Sequence, residues 1–197
     1  MGHTLAGLSI GVLLAPAGWS RLRKVAALAA CVVLANVPDL PFRRWGHHEY
    51  AVSHSLFVNL ALIVAGMMVL IGWDRLRRAT GGWRMAAMGA AAWLSHLLLD
   101  SFYNHGRGVA VYWPFSRAHL HLPLPWFRSV HPPVRLDAYT LRIVAVEAMF
   151  YGSVLALCIL VRLVCGRWVW PRKRQRGHAC PNDGRSPPSW CGPARRR

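Results

Sequence analysis

The sequence predicts an all-α, polytopic membrane protein, a helical bundle of about five transmembrane or half-spanning helices. Of its 197 residues, 54% are apolar and only 16% are charged. The apolar residues occur in blocks that are too long for the core-facing stripe of an ordinary soluble helix. The composition and the block lengths together argue against a soluble globular domain.

Two blocks give the clearest signal for membrane spans. Residues 53–73 contain no Asp, Glu, Lys or Arg and match the ~20 residues that a helix needs to cross a bilayer. Residues 139–165 are also long enough, although they contain Arg142, Glu147 and Arg162. We expect Glu147 to hydrogen-bond a neighbouring helix rather than to face a functional cavity.

Three further blocks are shorter. Residues 85–102 carry two polar side chains, His96 and Asp100, that need an explanation if this block spans. Residues 4–19 and 25–37 each fit a short or tilted span, or a packed half-helix. The positive residues follow the first block instead of preceding it, which argues against a cleaved signal peptide.

The net charge of +17 is unevenly distributed. Lys and Arg concentrate between the first two blocks, between the third and fourth, and in the tail at 167–197. These are alternate loops, so the positive-inside rule places them in the cytoplasm and the loops 38–52 and 103–138 outside. We therefore expect a bacterial inner-membrane protein whose basic residues contact membrane lipids, with no nucleic-acid partner.

The same patterns divide the chain into two parts. Residues 1–166 form the predicted membrane-embedded domain, and the Pro-, Gly- and Arg-rich residues 167–197 are predicted to be a disordered cytoplasmic tail. The five cysteines form no recognisable disulfide framework and do not identify a redox compartment.

The strongest functional signal lies within the block at residues 85–102. His96 and Asp100 are four residues apart and share one face of a helix. Burial of two ionisable side chains within the membrane costs free energy. Such a pair is therefore expected to have a function or a bonding partner. The pair suits two ligands of one metal, a histidine oriented by a carboxylate, or a hydrogen bond that only packs two helices.

Two other segments add metal-ligand chemistry. Asp39 follows a helix-ending proline, and three imidazoles and a carboxylate occur just before a span, at His47, His48, Glu49 and His54. Zinc, manganese and iron accept these donors. Together with His3, if the first helix starts outside, they predict a centre for one or two divalent ions. Zinc is the first candidate, and His119, His121 and His131 are left outside the core site.

Several short motifs occur in a fixed order along residues 1 to about 120: Gly2-His3, Val37-Pro38-Asp39, Ser53-His54-Ser55-Leu56, Leu94 to Asp100, Gly108 and Trp113-Pro114-Phe115-Ser116. The ordered set resembles the LexA-regulated, membrane-bound metal-dependent hydrolase family. The resemblance implies an inner-membrane protein whose His and Asp residues bind a divalent metal, with hydrolysis as the activity. This chain has Glu49 where the family has an upstream His, so the ligand role stays open among His47, His48 and Glu49.

The sequence therefore predicts a membrane-bound hydrolase of an ester or phosphoester in a lipid or lipid-linked substrate. Metal-bound water would be the nucleophile, with Glu49 or His48 as the general base. A metal or proton transporter would place polar residues along a whole path, yet the inner halves of these helices are almost bare of them. A structural or assembly protein is the other alternative, and it would need no metal.

Overall fold

The computed structural model describes residues 1–46, 50–76, 82–103, 108–122, 124, 127–128 and 137–169. Within these ranges the structure is helical, with isolated bridges such as Val109 to Leu120 in place of strands. The predicted all-α class is confirmed. The elements are α1 (Gly2–Leu14), α2 (Arg21–Leu34), a 3₁₀ turn (Val37–Asp39), α3 (Tyr50–Ser53), α4 (Leu56–Leu76), α5 (Gly82–Phe102) and α6 (Ala138–Val169).

Two of the described helices, α4 and α6, are long and apolar enough to cross a membrane. The stretches that qualify are Leu56–Trp73 and Ala138–Cys165, and only 11% of each is buried inside the protein. Large apolar side chains therefore point outward along both helices, as a lipid-facing surface requires. α5 is as long as α4, with 21 residues, but it turns its polar side chains inward.

The first two helices are shorter than α4 and α6. α1 has 13 residues and α2 has 14, so each is about 20 Å long against a hydrocarbon core of about 30 Å. α1 ends because Ala15 is extended just before Pro16. α2 starts where the Ser20 hydroxyl caps it by accepting a hydrogen bond from the Arg23 amide at 3.3 Å. Residues 4–19 and 25–37 thus form short helices packed in the bundle, and whether they are short spans or half-helices stays open between the two predicted alternatives.

Small residues let α1 pack closely against α2. Gly7 and Gly11 are four residues apart on α1, and both face α2. A Cβ on Gly7 would lie 2.6 Å from the Cys31 carbonyl oxygen and 2.8 Å from the Ala35 Cβ. Such spacing of small residues allows helix backbones to approach without a layer of side chains between them. α1 also packs against α5 and α6, so it lies inside the bundle.

α1 and α6 run in the same direction, as the first and fifth helices of a bundle with alternating directions do. At one end of the bundle the Gly2 amide donates to the Glu147 carboxylate of α6 at 3.0 Å. At the other end the Arg162 guanidinium donates to the Leu13 carbonyl at 3.3 Å and to the Ala15 carbonyl. Arg162 thus satisfies carbonyls that the end of α1 leaves open, which explains a positive charge within a span. Glu147 bonds to a neighbouring helix, as expected.

The start of α4 differs from the predicted span at 53–73. α4 begins at Leu56, so His54 lies in a turn between α3 and α4 and not inside an apolar helix as predicted. Asn59 stabilises this break, since its side-chain amide donates to the Ser53 carbonyl at 2.7 Å and to the Ser55 carbonyl at 2.6 Å. Buried carbonyls that accept no hydrogen bond from a helical amide need another donor of this kind.

The last helix extends beyond the predicted domain boundary at residue 166. α6 continues through Val169, three residues past that boundary. The rest of the predicted tail, residues 170–197, lies outside the described residues.

Candidate metal centre

Five of the predicted ligands meet at one end of the bundle. Each comes from a helix end at that level: His3 from the start of α1, Asp39 from the 3₁₀ turn after α2, His54 from the turn before α4, and His96 and Asp100 from the last two turns of α5. The alternating helix directions bring these ends together. His47, His48 and Glu49 lie outside the described residues.

Four of these side chains surround one point. One donor atom each from Asp39, His54, His96 and Asp100 can be chosen so that all four lie within 4.8 Å of one another. The His54 and His96 Nε2 atoms are 3.3 Å apart. They lie 3.4 and 3.5 Å from Asp39 Oδ1, and 3.1 and 3.5 Å from Asp100 Oδ2. Ligands about 2.0–2.1 Å from a tetrahedral zinc ion are about 3.3 Å apart, so the spacing fits such an ion.

Hydrogen bonds outside this cluster orient both imidazoles. The Nδ1 of His96 lies 2.8 Å from the Ala35 carbonyl oxygen. The Nδ1 of His54 lies 2.7 Å from the Ser53 hydroxyl and 3.3 Å from the Tyr50 carbonyl. Since a carbonyl can only accept, Nδ1 carries the proton in the neutral ring and the Nε2 lone pair faces the cluster. This is the tautomer that a metal ligand needs.

The cluster is buried on one side and open on the other. His54 and His96 have no exposed surface and Asp100 is 4% exposed. The Asp39 side chain is 32% exposed, which is the largest value among the side chains of this cluster. The cluster is therefore accessible from the Asp39 side, while its other side is shielded from water.

The charges at the open edge favour a bound cation. Burial alone would raise the pKa of the Asp39 carboxyl, but in the metal-free site hydrogen bonds from His54 and His96, whose Nε2 atoms then carry protons that a metal would displace, hold that pKa below its ordinary value. Asp39 is therefore a carboxylate at neutral pH. Its charge, close to imidazole lone pairs at low local dielectric, attracts a positive ion.

His3 stacks on His96 and lies near the second oxygen of each carboxylate. Its Nε2 is 3.1 Å from Asp100 Oδ1 and 4.0 Å from Asp39 Oδ2. Its ring stacks on His96 with the centroids 4.0 Å apart. His3 thus contacts the carboxylate oxygens that His54 and His96 do not.

A polar anchor fixes the first turn of α1 and hence His3. The Glu147 carboxylate accepts hydrogen bonds from the Gly2 amide at 3.0 Å and from the Tyr103 hydroxyl at 2.9 Å. Gly2 is in close contact, since a Cβ there would lie 2.6 Å from Tyr151 and 2.7 Å from the Tyr103 hydroxyl. α5 and α6 together therefore set the position of His3.

The loop at 108–122 holds the start of α4. The Ser55 hydroxyl donates to the Trp113 carbonyl, and the Leu56 amide donates to the Val111 carbonyl at 3.0 Å. Phe115 is highly exposed and meets the lipid-facing Phe57 edge-on, at 4.8 Å between ring centroids. The Trp113 to Ser116 motif thus positions α4, and with it His54, beside the lipid surface.

The sequence prediction missed several supporting residues. Ser53 and Tyr50 contact His54, the Tyr103 ring lies 6.1 Å from the His3 ring between centroids, and the Ala35 carbonyl contacts His96. Asn59 acts indirectly, because it bonds the Ser53 and Ser55 carbonyls on either side of His54. Only Ser53 and Tyr50 carried a local signal, because they are close to His54 in the chain. His119 and His121 are exposed, in agreement with their exclusion from the core site.

Fold and site together define a polytopic α-helical membrane protein with a buried His and Asp cluster at one end of its bundle. The model of the YdjM inner membrane protein family matches residues 1–174. The chain belongs to this family and is an inner-membrane protein. The match includes all of α6 and is consistent with the resemblance to a LexA-regulated inner-membrane family over residues 1 to about 120. No curated protein and no solved structure matches the chain.

Proposed function

We propose that the protein is a membrane-bound metal-dependent hydrolase that acts on an ester or phosphoester of a lipid or lipid-linked substrate. The observation that carries the proposal is the set of four donor atoms from Asp39, His54, His96 and Asp100, all within 4.8 Å of one another. Packing of two helices would need only one hydrogen-bonded pair. Four converging donors from three separate chain segments are typical of a metal site.

The donor set fits a particular group of ions. Two imidazoles and two carboxylates suit zinc, and manganese and iron accept the same donors. A divalent ion held there would supply a water of lowered pKa and polarise the oxygen of the bond to be cleaved. Magnesium and calcium fit less well, because both prefer sites made of oxygen ligands.

Other residues of the chain would orient the ligands, exclude water and act as the general base. Ser53 and the Ala35 carbonyl keep the Nε2 atoms of His54 and His96 aimed at the cluster. The buried side keeps bulk water away, and the exposed edge at Asp39 admits the substrate. Glu49 or His48 stays the predicted general base. Both residues lie outside the described residues, between Gly46, whose carbonyl accepts from Ser53, and Tyr50, whose ring stacks on His54.

The position of the cluster supports a lipid substrate. It lies at the helix ends beside the start of α4, where Phe57 and Phe115 are exposed. Exposed aromatic rings next to a lipid-facing helix are typical of the membrane interface. A scissile bond in a lipid head group lies at this same height.

A hydrolysis assay tests this proposal. The purified protein, reconstituted with zinc or manganese in lipid vesicles, is expected to release product from phosphoester or carboxylic ester lipids. Activity should disappear when a chelator removes the metal and return when the metal is restored. Hydrolysis that is insensitive to the chelator would contradict the proposal. Absence of bound metal after reconstitution would favour a structural or assembly role.

We further propose that the cluster faces the extracytoplasmic side and the basic tail the cytoplasm. The support is the concentration of Lys and Arg in the alternate loops and the tail. In a cysteine-free background, Phe42→Cys near the cluster and Leu22→Cys at the opposite end are both exposed positions. A membrane-impermeant thiol reagent should label intact spheroplasts only at position 42. Labelling only at position 22 would reverse the orientation.

A further inference from the structure

Each carboxylate of the cluster has one oxygen near His54 and His96 and the other oxygen near His3. Asp39 Oδ1 and Asp100 Oδ2 lie within 3.5 Å of the Nε2 atoms of His54 and His96. Asp100 Oδ1 lies 3.1 Å from His3 Nε2, and Asp39 Oδ2 lies 4.0 Å from it. His3 is thus near one pair of carboxylate oxygens, and His54 and His96 are near the other pair.

We propose that His3 Nε2, Asp39 Oδ2 and Asp100 Oδ1 form a second divalent-cation position, and that the site acts on a phosphoester. This inference rests on the proposed metal-dependent hydrolase function. The two carboxylates would bridge the two ions, which are about 3.5–4 Å apart in two-metal hydrolytic sites. The distances from His3 Nε2 are close to the ~3.0–4.2 Å between ligands of a five- or six-coordinate ion with bonds of about 2.1 Å.

The charge of such a centre selects the substrate class. One divalent ion against two carboxylates is neutral, and a second ion leaves the centre positive. The neighbouring imidazoles are neutral when they act as ligands. A positive centre favours the anionic phosphoester over the neutral carboxylic ester, because charge stabilisation is strong in a buried site.

The structure holds His3 in place for this role. The anchor of Glu147 and Tyr103 on the Gly2 amide fixes the first turn of α1, where backbone amides have no partner within the helix. Stacking on His96 fixes the plane of the His3 ring. His3 therefore presents Nε2 to the carboxylates from a defined direction.

The second position should hold its ion more weakly than the first. The Nδ1 atoms of His54 and His96 have hydrogen-bond acceptors, whereas the Nδ1 of His3 is buried with no partner among the described residues. An outer hydrogen bond makes an imidazole a better ligand, typically by 10–100-fold in metal affinity. We expect a chelator to remove the ion next to His3 first.

Metal content of the full-length, detergent-purified protein tests the second position. After reconstitution with zinc and removal of free ion, elemental analysis should find two ions per chain. The His3→Ala variant should retain one, and His119→Ala, which changes an exposed imidazole outside the cluster, should retain two. One ion in both the native protein and His3→Ala would overturn the second position and leave the proposed function standing. No ion in the native protein would overturn both.

A second readout covers the case in which His3→Ala does not fold. Two manganese ions bridged by carboxylates give an exchange-coupled electron paramagnetic resonance spectrum. We expect this spectrum in the loaded native protein and the six-line spectrum of an isolated ion in His3→Gln. An isolated-ion spectrum in the fully loaded native protein would overturn the proposal. Cleavage of phosphoester vesicles and not of carboxylic ester vesicles supports the substrate class, and the reverse preference contradicts it.

Discussion

Replacing His96 with alanine is expected to release the bound metal and to lower kcat by on the order of 10³-fold or more, because metal-bound water is the proposed nucleophile. The His96 Nε2 lies within 3.5 Å of three other donor atoms of the cluster. Without this imidazole, the metal loses one of its four proposed ligands, and Asp39 and Asp100 lose a neighbouring nitrogen atom. Asp100→Ala should have an effect of similar size, since Asp100 contacts His3, His54 and His96.

The measurements are metal content and hydrolysis of lipid vesicles, with thermal unfolding in detergent as a check on folding. His119→Ala is the matched control, since its imidazole is exposed and is not part of the cluster. We expect this control to keep native activity and metal. Native activity in both His96→Ala and Asp100→Ala would remove the basis of the mechanism.

Gly7→Ala is expected to destabilise the protein by about 1–3 kcal/mol, the usual effect of overpacking a close contact. The new Cβ would lie 2.6 Å from a backbone oxygen of Cys31, which cannot rotate away, and 2.8 Å from the Ala35 Cβ. Relief requires α1 and α2 to separate. Because the Ala35 carbonyl orients His96, we also expect weaker metal binding.

The chain offers a control for this substitution. A Cβ on Gly66 in the lipid-facing part of α4 has no neighbour within 4 Å. Since alanine is a better helix former than glycine by about 0.5–1 kcal/mol, Gly66→Ala should be neutral or stabilising. Thermal unfolding followed by tryptophan fluorescence compares the two variants. Equal midpoints would show that the α1 to α2 contact is not tightly packed.

The fold was most predictable where contact with lipid requires an apolar sequence. α4 and α6 face lipid, so their spans appear as long uninterrupted apolar blocks. α1 and α2 pack inside the bundle, where length is set by neighbouring helices, and their boundaries depended on Pro16 and the Ser20 cap. The break before α4 could not be predicted, because residues 53–73 contain no glycine or proline at that point and Asn59 stabilises it from within the helix.

The site was predictable at the level of its donor residues and not at the level of its geometry. His96 and Asp100 are four residues apart in a helix, so their proximity follows from helix geometry without knowledge of the tertiary structure. His54, Asp39 and His3 join them only because the helix directions alternate and α1 lies inside the bundle. The anchor of His3 through Glu147 links residues 145 positions apart, and no local pattern carries that information.

X-ray absorption at the zinc edge, on protein purified in detergent and reconstituted with zinc, tests the central claim most directly. We predict a first shell of nitrogen and oxygen atoms only, at about 2.0–2.2 Å, with the outer-shell scattering of coordinated imidazole. That scattering should fall in the His96→Ala variant. Sulfur neighbours at about 2.3 Å, or a zinc ion surrounded by water alone, would show that the metal binds elsewhere and that the cluster is not its site.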